Sequence, residues 1–491
     1  MTAQRQNPGD LALLTDLYQL TMAYAHWRAG TADREAVFHL YFRKHPFAGG
    51  FTVTCGQEPV LDFLEAFRIS SEDLQYLQTL RGNDGQPLFD AGFLAALAQL
   101  RLEVEVDAVP EGTVLFPNEP ILRVRGPILQ CQLLETALLN LVNFQSLIAT
   151  KAARIRLAAG DDPVLEFGLR RAQGVDGALA ASRAAYIGGC DATSNVLAGR
   201  LYGIPLRGTH AHSWVMAFDS EREAFETYAQ ALPNNCVFLV DTYDTLQGVR
   251  QAIATGLELR ERGYELAGIR LDSGDLAWLS AEARQLLDAA GFPAASIVAS
   301  NDLDERLIKS IKDQGAKVSV WGVGTKLATA YDQPALGGVY KLSALRVAGG
   351  EWQSKVKVSE QAAKVSNPGI LQVTRFKQRG QFVGDAVWNE LEPPAPDELT
   401  IVDPTDPTRQ KRFDASLERE ELLKPAFRAG ARVGPAERAQ AARARVRSEL
   451  AGFHAGIKRF DNPHEYPVGL ERRLYELKSR LVRAARAAGG A

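Results

Sequence analysis

Between Pro163 and Trp321 the chain alternates short apolar runs with longer amphipathic ones, and this rhythm restricts the fold more than any other feature. The runs Val164–Phe167, Ile204–Arg207, Cys236–Val240, Gly268–Leu271, Ile297–Ala299 and Val318–Trp321 read as strands. Helical patterns occupy Thr193–Tyr202, Leu246–Arg262, Leu276–Ala290 and Leu303–Gln314. Strands that each lead into a helix form βα units, and repeated βα units build a parallel sheet. The units run on without a topological break, which favours a barrel over an open sheet. Polar residues gather just past the strands: Asp241, Asp244, Asp272, Asp275, Asn301, Asp302, Gly322 and Thr325. Sites in parallel α/β proteins assemble at the carboxyl ends of the strands.

The 491 residues exceed the roughly 100–200 of a typical domain, and the flanks of the βα region read differently from it. We expect boundaries near 1–140, 141–348 and 349–491. In the first part, Asp10 to Trp27 is helical, with Leu13, Leu14, Leu17, Leu20, Met22 and Tyr24 on an imperfect apolar face. Ala36 to Phe42 reads as a strand apolar on both sides. Leu102–Val109, Gly112–Phe116 and Ile121–Val124, punctuated by prolines, suggest a small antiparallel sheet, and a helical pattern resumes from Ile128 to about Ala158. The third part holds strand-like Trp352–Val358 and Ile370–Phe376. A Pro/Asp-rich stretch, Glu392–Pro407, reads as a loop or hinge. Arg/Ala-rich helices near Pro435–Phe453 and Gly469–Ala488 read as solvated amphipathic helices.

Charge and composition narrow the function. A net charge of −3 leaves no electrostatic footprint for nucleic acid. No apolar run approaches the roughly 20 residues that span a bilayer, and the polar Met1–Asp10 stretch predicts no secretory signal. Cys55, Cys131, Cys190 and Cys236 are widely spaced with no C-x-x-C pair, which argues against a zinc ribbon or a disulfide framework. A soluble cytoplasmic enzyme is the expectation.

Four segments could carry its chemistry. Gly268-Ile-Arg-Leu-Asp-Ser-Gly-Asp275 delivers Arg270, Asp272 and Asp275 to a strand end. Carboxylates there suit a sugar diol or a Mg²⁺ that carries phosphates, although Asp275 could instead cap the following helix. Val318-Ser-Val-Trp-Gly-Val-Gly-Thr-Lys326 sets a glycine-rich turn after a strand, where backbone N–H groups can cradle phosphate. Thr325 and Lys326 could add a hydroxyl and a charge. Gly208-Thr-His-Ala-His-Ser213 holds two of the seven histidines. They could ligate metal, be structural, or supply a nucleophile or general base beside Thr209 and Ser213. Leu165-Glu-Phe-Gly-Leu-Arg-Arg171 offers a ring and two guanidiniums that could stack on a heterocycle and grip a carboxylate. The same segment also reads as a core Phe167 with surface arginines. Tyr18, in Thr15-Asp-Leu-Tyr-Gln19, by itself reads as core.

Taken in order, six stretches resemble the nicotinate phosphoribosyltransferases. They are Leu14-Thr-Asp-Leu-Tyr-Gln-Leu-Thr-Met22, Glu166-Phe-Gly-Leu-Arg-Arg-Ala-Gln173, Ala192-Thr-Ser-Asn-Val-Leu-Ala-Gly199, Gly208-Thr-His-Ala-His-Ser213, Ile269-Arg-Leu-Asp-Ser-Gly-Asp275 and Gly322-Val-Gly-Thr325. The resemblance weakens over the last 140 residues, where some relatives carry a cysteine cluster and this chain has none. It implies the type II phosphoribosyltransferase fold in the α/β class. The parts would be an N-terminal α/β sandwich domain, an irregular parallel α/β barrel and a C-terminal extension packing on both.

The resemblance also implies an activity and its residues. Nicotinate and 5-phosphoribosyl-1-pyrophosphate would give nicotinate mononucleotide and pyrophosphate in NAD biosynthesis, with ATP as co-substrate hydrolysed through a phosphohistidine, His212. The enzyme would be an ATP-dependent ligase. Mg²⁺, carried by pyrophosphate near Asp272 and Asp275, would serve as cofactor without a protein-only metal site. Gly324 and Thr325 would hold the 5′-phosphate. Phe167 and the Tyr18 of a partner subunit would sandwich the pyridine ring, in a homodimer with shared active sites. Arg270, or Arg170, would pair the nicotinate carboxylate, with Thr209 and Ser273 completing the substrate-binding set. His210 would be a neighbour, not the phosphoryl acceptor.

Nicotinamide-using relatives show an acidic residue where this chain has Ser194, so the acid is the expected substrate; Asp191, nearby, keeps the amide in play. A nicotinamide phosphoribosyltransferase is thus one alternative reading. Further off stand a metal-dependent barrel hydrolase using His210, His212 and Asp272, and an RNA-binding protein using its basic tail.

Overall fold

A computed structural model describes residues 11–347, 349–361, 364–395 and 399–489. The chain divides into two units. The described residues up to Ser146, with Ala335–Arg438 and those from Arg447 onward, make the first; Leu147–Pro334 with Ala439–Val446 make the second. The C-terminal segment therefore contributes to both.

The first unit is built on antiparallel pairing. Its larger sheet runs in the order Gln353–Ser354, Gly338–Arg346, Glu35–Phe42, Leu122–Pro127, Glu105–Ala108, Lys424–Arg428, Ala431–Arg432. Glu35–Phe42 buries every residue after Glu35, as its two-sided apolar pattern requires. Of the three expected short strands, two join this sheet, while Val114–Leu115 pairs instead with Thr52–Val53. Helix Leu17–Arg28 sets Leu20 and Ala23 into a cluster with Phe89, Phe93, Leu94, Leu97 and Leu129. Asp10, where the expected helix began, lies outside the described residues.

A second sheet of this unit runs Gln410–Phe413, Leu399–Val402, Val468–Glu471, Gln381–Asn389, Leu371–Gln378, Glu418–Glu421. Leu399–Val402 corrects the expectation of a loop over Glu392–Pro407. Strands on both sides pair with it and bury Leu399, Ile401 and Val402, which the flanking Pro and Asp residues obscure in the sequence. Residues 396–398 of that stretch lie outside the described residues.

Inside the sheet, Arg375 pairs with Asp385 across the ladder, at 2.6 Å through its terminal nitrogen. Both side chains are sealed, 2% and 0% exposed. Glu449 takes a second terminal N–H at 2.6 Å, and Tyr466 donates its hydroxyl to Asp385 at 2.8 Å. Glu119 accepts the Phe116 N–H at 2.8 Å; burial, then the Asp385 charge, pushes its carboxyl well above the usual range.

The second unit is the parallel one. Its sheet runs Ala192–Thr193, Val164–Glu166, Val320–Val323, Ser296–Ala299, Gly268–Leu271, Val237–Leu239, every pair parallel. The irregular barrel takes the form of a half-barrel, with Ala192–Thr193 and Val237–Leu239 at its edges. Five of the six expected strands appear within about two residues of their expected limits.

The exception is Ile204–Arg207, where Leu206 makes a single parallel bridge to Thr193. Thr193 in turn lies in a strand, not in the expected helix, which starts at Val196 under an Asn195 cap. Helices Gly174–Gly188 and Glu221–Ala231 were not anticipated. No helix among the described residues is long and apolar enough to cross a membrane.

Candidate active site

Strand Gly268–Leu271 alternates, so Ile269 and Leu271 are fully buried while Arg270 faces the other way with its side chain 14% exposed. Its guanidinium donates to Ser300 Oγ at 2.8 Å, Thr209 Oγ1 at 3.1 Å and Asp272 Oδ1 at 2.8 Å. Three of its five N–H donors are thus engaged, leaving one on each terminal nitrogen. Burial opposes ionisation of Asp272, but the Ser300 hydrogen bond and the Arg270 charge hold its carboxyl below the usual range.

Asp241, from the neighbouring loop, accepts the Asp272 backbone N–H at 2.9 Å and the Ser273 hydroxyl at 2.6 Å through Oδ2. Two strand ends therefore repeat one device. The first aspartate after the strand (Asp241, Asp272) joins the network, and the one three residues on caps the helix. Asp244 accepts from Gln247 N–H, and Asp275 from Ala277 and Trp278 N–H. The capping reading of Asp275 is what the structure displays.

The two histidines separate. His210 is buried among Phe225, Tyr228 and Phe238, and its Nε2 accepts the Leu239 N–H at 3.2 Å. Burial lowers its pKa to about 4, so it is neutral at pH 7. His212 opens the short helix His212–Val215 with its side chain 41% exposed. Its Nδ1 meets Thr242 Oγ1 at 3.1 Å, and its Nε2 lies 3.8 Å from Asp272 Oδ2. The shared metal site of the hydrolase reading would need both rings, and His210 Nε2 is occupied by a backbone donor.

Phe167 follows strand Val164–Glu166, its N–H bonded to Val323 O at 2.7 Å and its ring 5.8 Å from the Arg270 guanidinium carbon. Gly322 makes the close approach possible, since a Cβ there would lie 2.9 Å from two ring carbons of Phe167. Gly324 and Thr325, half-buried, start the short helix Thr325–Ala328. Lys326 is committed elsewhere, pairing with Asp304 at 2.6 Å. Arg170 is exposed on the turn Leu169–Arg171, and no hydrogen bond among the described residues ties it to the Arg270 network.

Ser194 follows strand Ala192–Thr193, its N–H bonded to Glu166 O at 3.0 Å. Asp191 is held by Arg156, by Arg443 at 2.7 Å and by the Val164 N–H at 2.8 Å. Tyr18 lies in the first unit on helix Leu17–Arg28, 49% exposed, with Leu17 and Met22 also exposed beside it.

No three His, Cys, Asp or Glu among the described residues converge to hold a metal ion. Asp241 Oδ1 is nevertheless buried without a donor, and Asp272 Oδ2 faces the exposed His212. Both are oxygen ligands of the kind Mg²⁺ accepts alongside phosphates. Sequence reasoning missed Thr242 and the role of Glu166, whose partners come from distant elements; Asp241 was noted only as a strand-end polar residue.

Comparison with known proteins places this arrangement. The chain matches the model of the nicotinate phosphoribosyltransferase N-terminal domain over residues 13–143, that of the nicotinate phosphoribosyltransferase family over 164–379 and that of the C-terminal domain over 371–478. It is 42% identical to nicotinate phosphoribosyltransferase of Bacillus subtilis over 483 residues, covering 96% of both chains. It is 37% identical to the human protein of that name, again over 96% of each. The crystal structure of human nicotinic acid phosphoribosyltransferase superposes with a TM-score of 0.83 at 35% identity, covering 95% of this chain and 99% of that one. The chain belongs to the nicotinate phosphoribosyltransferase family.

Proposed function

We propose that the protein joins nicotinate to 5-phosphoribosyl-1-pyrophosphate, forming nicotinate mononucleotide and pyrophosphate, and that ATP hydrolysis drives the reaction through phosphorylated His212. The observation that carries the reading is Arg270: a guanidinium with two uncommitted N–H donors beside the Phe167 ring. A planar aromatic carboxylate fits that pair.

The pyridine nitrogen attacks the ribose anomeric carbon as the bond to pyrophosphate breaks, and the electron pair leaves with pyrophosphate. No proton is transferred, so no general base is needed. Positive charge develops on the sugar and then on the ring, where the Asp272 carboxylate opposes it. Gly324 and Thr325 hold the 5′-phosphate through N–H and O–H donors. Asp272, Asp241 and the capping Asp275 would supply oxygen ligands near a Mg²⁺ ion, which would neutralise charge on the leaving pyrophosphate.

His212 Nε2 accepts the γ-phosphoryl group of ATP as the bond to ADP breaks, with the proton kept on Nδ1 toward Thr242. Water later cleaves the N–P bond. The added charge reorders contacts around Asp272 and Arg270. Exposed Leu17, Tyr18 and Met22 support a homodimer in which a partner subunit's Tyr18 closes the ring site.

Nicotinamide is the second reading. Asp191 is taken up by three partners, Ser194 follows strand Ala192–Thr193, and a serine does not repel a carboxylate. An assay with phosphoribosyl pyrophosphate and Mg²⁺, offering nicotinate or nicotinamide with and without ATP, decides. Mononucleotide from nicotinate, raised by ATP, is the expected result; product from nicotinamide alone overturns the acid assignment.

A further inference from the structure

Glu166 ends strand Val164–Glu166 and is 1% exposed, yet it has no ion pair among the described residues. A buried carboxylate without a cation is costly unless hydrogen bonds surround it. Here they do, and they come from both sides. Oε1 accepts the Gly168 N–H, fixing the peptide just beyond Phe167. Oε2 accepts the hydroxyls of Ser182 at 2.9 Å and Thr193 at 2.6 Å.

The donors are themselves braced. Asn195 donates its N–H to Thr193 Oγ1 at 2.9 Å and its amide to Ser182 Oγ at 3.1 Å, while its Oδ1 caps the next helix. Gly168 packs closely against its neighbours, since a Cβ there would sit 2.4 Å from Ala328 Cβ. One carboxylate therefore ties the segment that carries Phe167 to the turn that carries Ser194, and helix Gly174–Gly188 anchors it from behind.

We infer that Glu166 is a positioning residue for the aromatic substrate. It holds Phe167 and Ser194 at a fixed spacing, and that spacing sets both nicotinate affinity and the preference for the acid over the amide. The inference rests on the reading above. Glutamine is nearly isosteric, but its NH₂ replaces one acceptor. The Gly168 N–H cannot turn to accept and so keeps the amide oxygen; the NH₂ then faces the Ser182 and Thr193 hydroxyls, which must reverse from donors to acceptors while each still accepts from Asn195.

The test measures KM for nicotinate, nicotinamide, phosphoribosyl pyrophosphate and ATP, together with Tm, in Glu166→Gln, Thr193→Val and Thr193→Ser. Glu166→Gln and Thr193→Val should each raise the nicotinate KM about tenfold and lower the nicotinate-to-nicotinamide ratio of kcat/KM about as much. The KM for ATP should stay within about twofold. Thr193→Ser restores the hydroxyl and should recover the nicotinate KM. If Glu166→Gln does not fold, the two Thr193 variants decide alone. A folded variant with an unchanged nicotinate KM, or an equal rise for every substrate, overturns the inference and leaves the proposed reaction standing. A wild-type protein that neither binds nor converts nicotinate brings down both.

Discussion

Two strand-borne arginines in this protein each pair with an aspartate, with opposite outcomes. In the first unit Arg375 is sealed. Asp385, Glu449 and the Val114 carbonyl take its donors, and the Phe382 and Phe453 rings flank it at 5.0 and 5.1 Å. In the second unit Arg270 stands at the carboxyl end of a parallel strand, with Asp272 31% exposed beside it. A sealed ion pair with four of its five N–H donors engaged specifies packing and is out of a ligand's reach. A pair with spare donors at an open strand end is free to recognise one. Residue type does not separate the two; hydrogen-bonding capacity that a ligand can reach does.

Breaking the sealed pair should produce the largest effect. Arg375→Ala leaves Asp385 buried without its cation and should cost about 3–5 kcal/mol of folding stability. Urea unfolding measures this, and a variant as stable as wild type would erase the distinction. Arg270→Ala should do the reverse, lowering kcat/KM for nicotinate about a hundredfold while changing stability by only about 1 kcal/mol. Equal losses for nicotinate and ATP would instead indicate a folding defect.

His212→Ala should keep basal mononucleotide synthesis and lose its stimulation by ATP, read at low phosphoribosyl pyrophosphate; full stimulation would remove His212 from the mechanism. The smallest effect concerns pH. Because the folded Glu119 keeps its proton above the ordinary value of 4.5, the unfolded chain releases that proton first as pH rises. Wild-type stability should therefore fall relative to Glu119→Gln from about pH 4.5 upward, by roughly 1–2 °C in Tm for each kcal/mol involved. Parallel pH profiles for the two proteins would show that Glu119 does not titrate with folding.

Much of the second unit was legible in advance. Its strands are buried on both faces and helices follow them, so apolar runs alone mark them. Ile204–Arg207 forms only a bridge because its partner Thr193 ends the two-residue strand Ala192–Thr193, and the next residue, Ser194, bonds to Glu166 instead. Asp275 could not be separated from Asp272 by composition. Their three-residue offset only acquires meaning once the helix start is known, because the cap needs a side chain within reach of the Ala277 and Trp278 N–H groups.

The ordered motifs, read in sequence, determined the family, the parallel α/β class and the segments from which a site would be drawn. Local sequence carries these because backbone propensity and the spacing of apolar residues act over short range. Tertiary structure decided which histidine is buried and neutral and which is exposed, which aspartates cap helices, and which arginine keeps donors to spare. It also joined Glu166 to Ser182 and Thr193, residues 16 and 27 positions away. Those properties depend on solvent exclusion and on hydrogen-bond partners from distant segments, and burial alone changes the chemistry of a carboxylate or an imidazole.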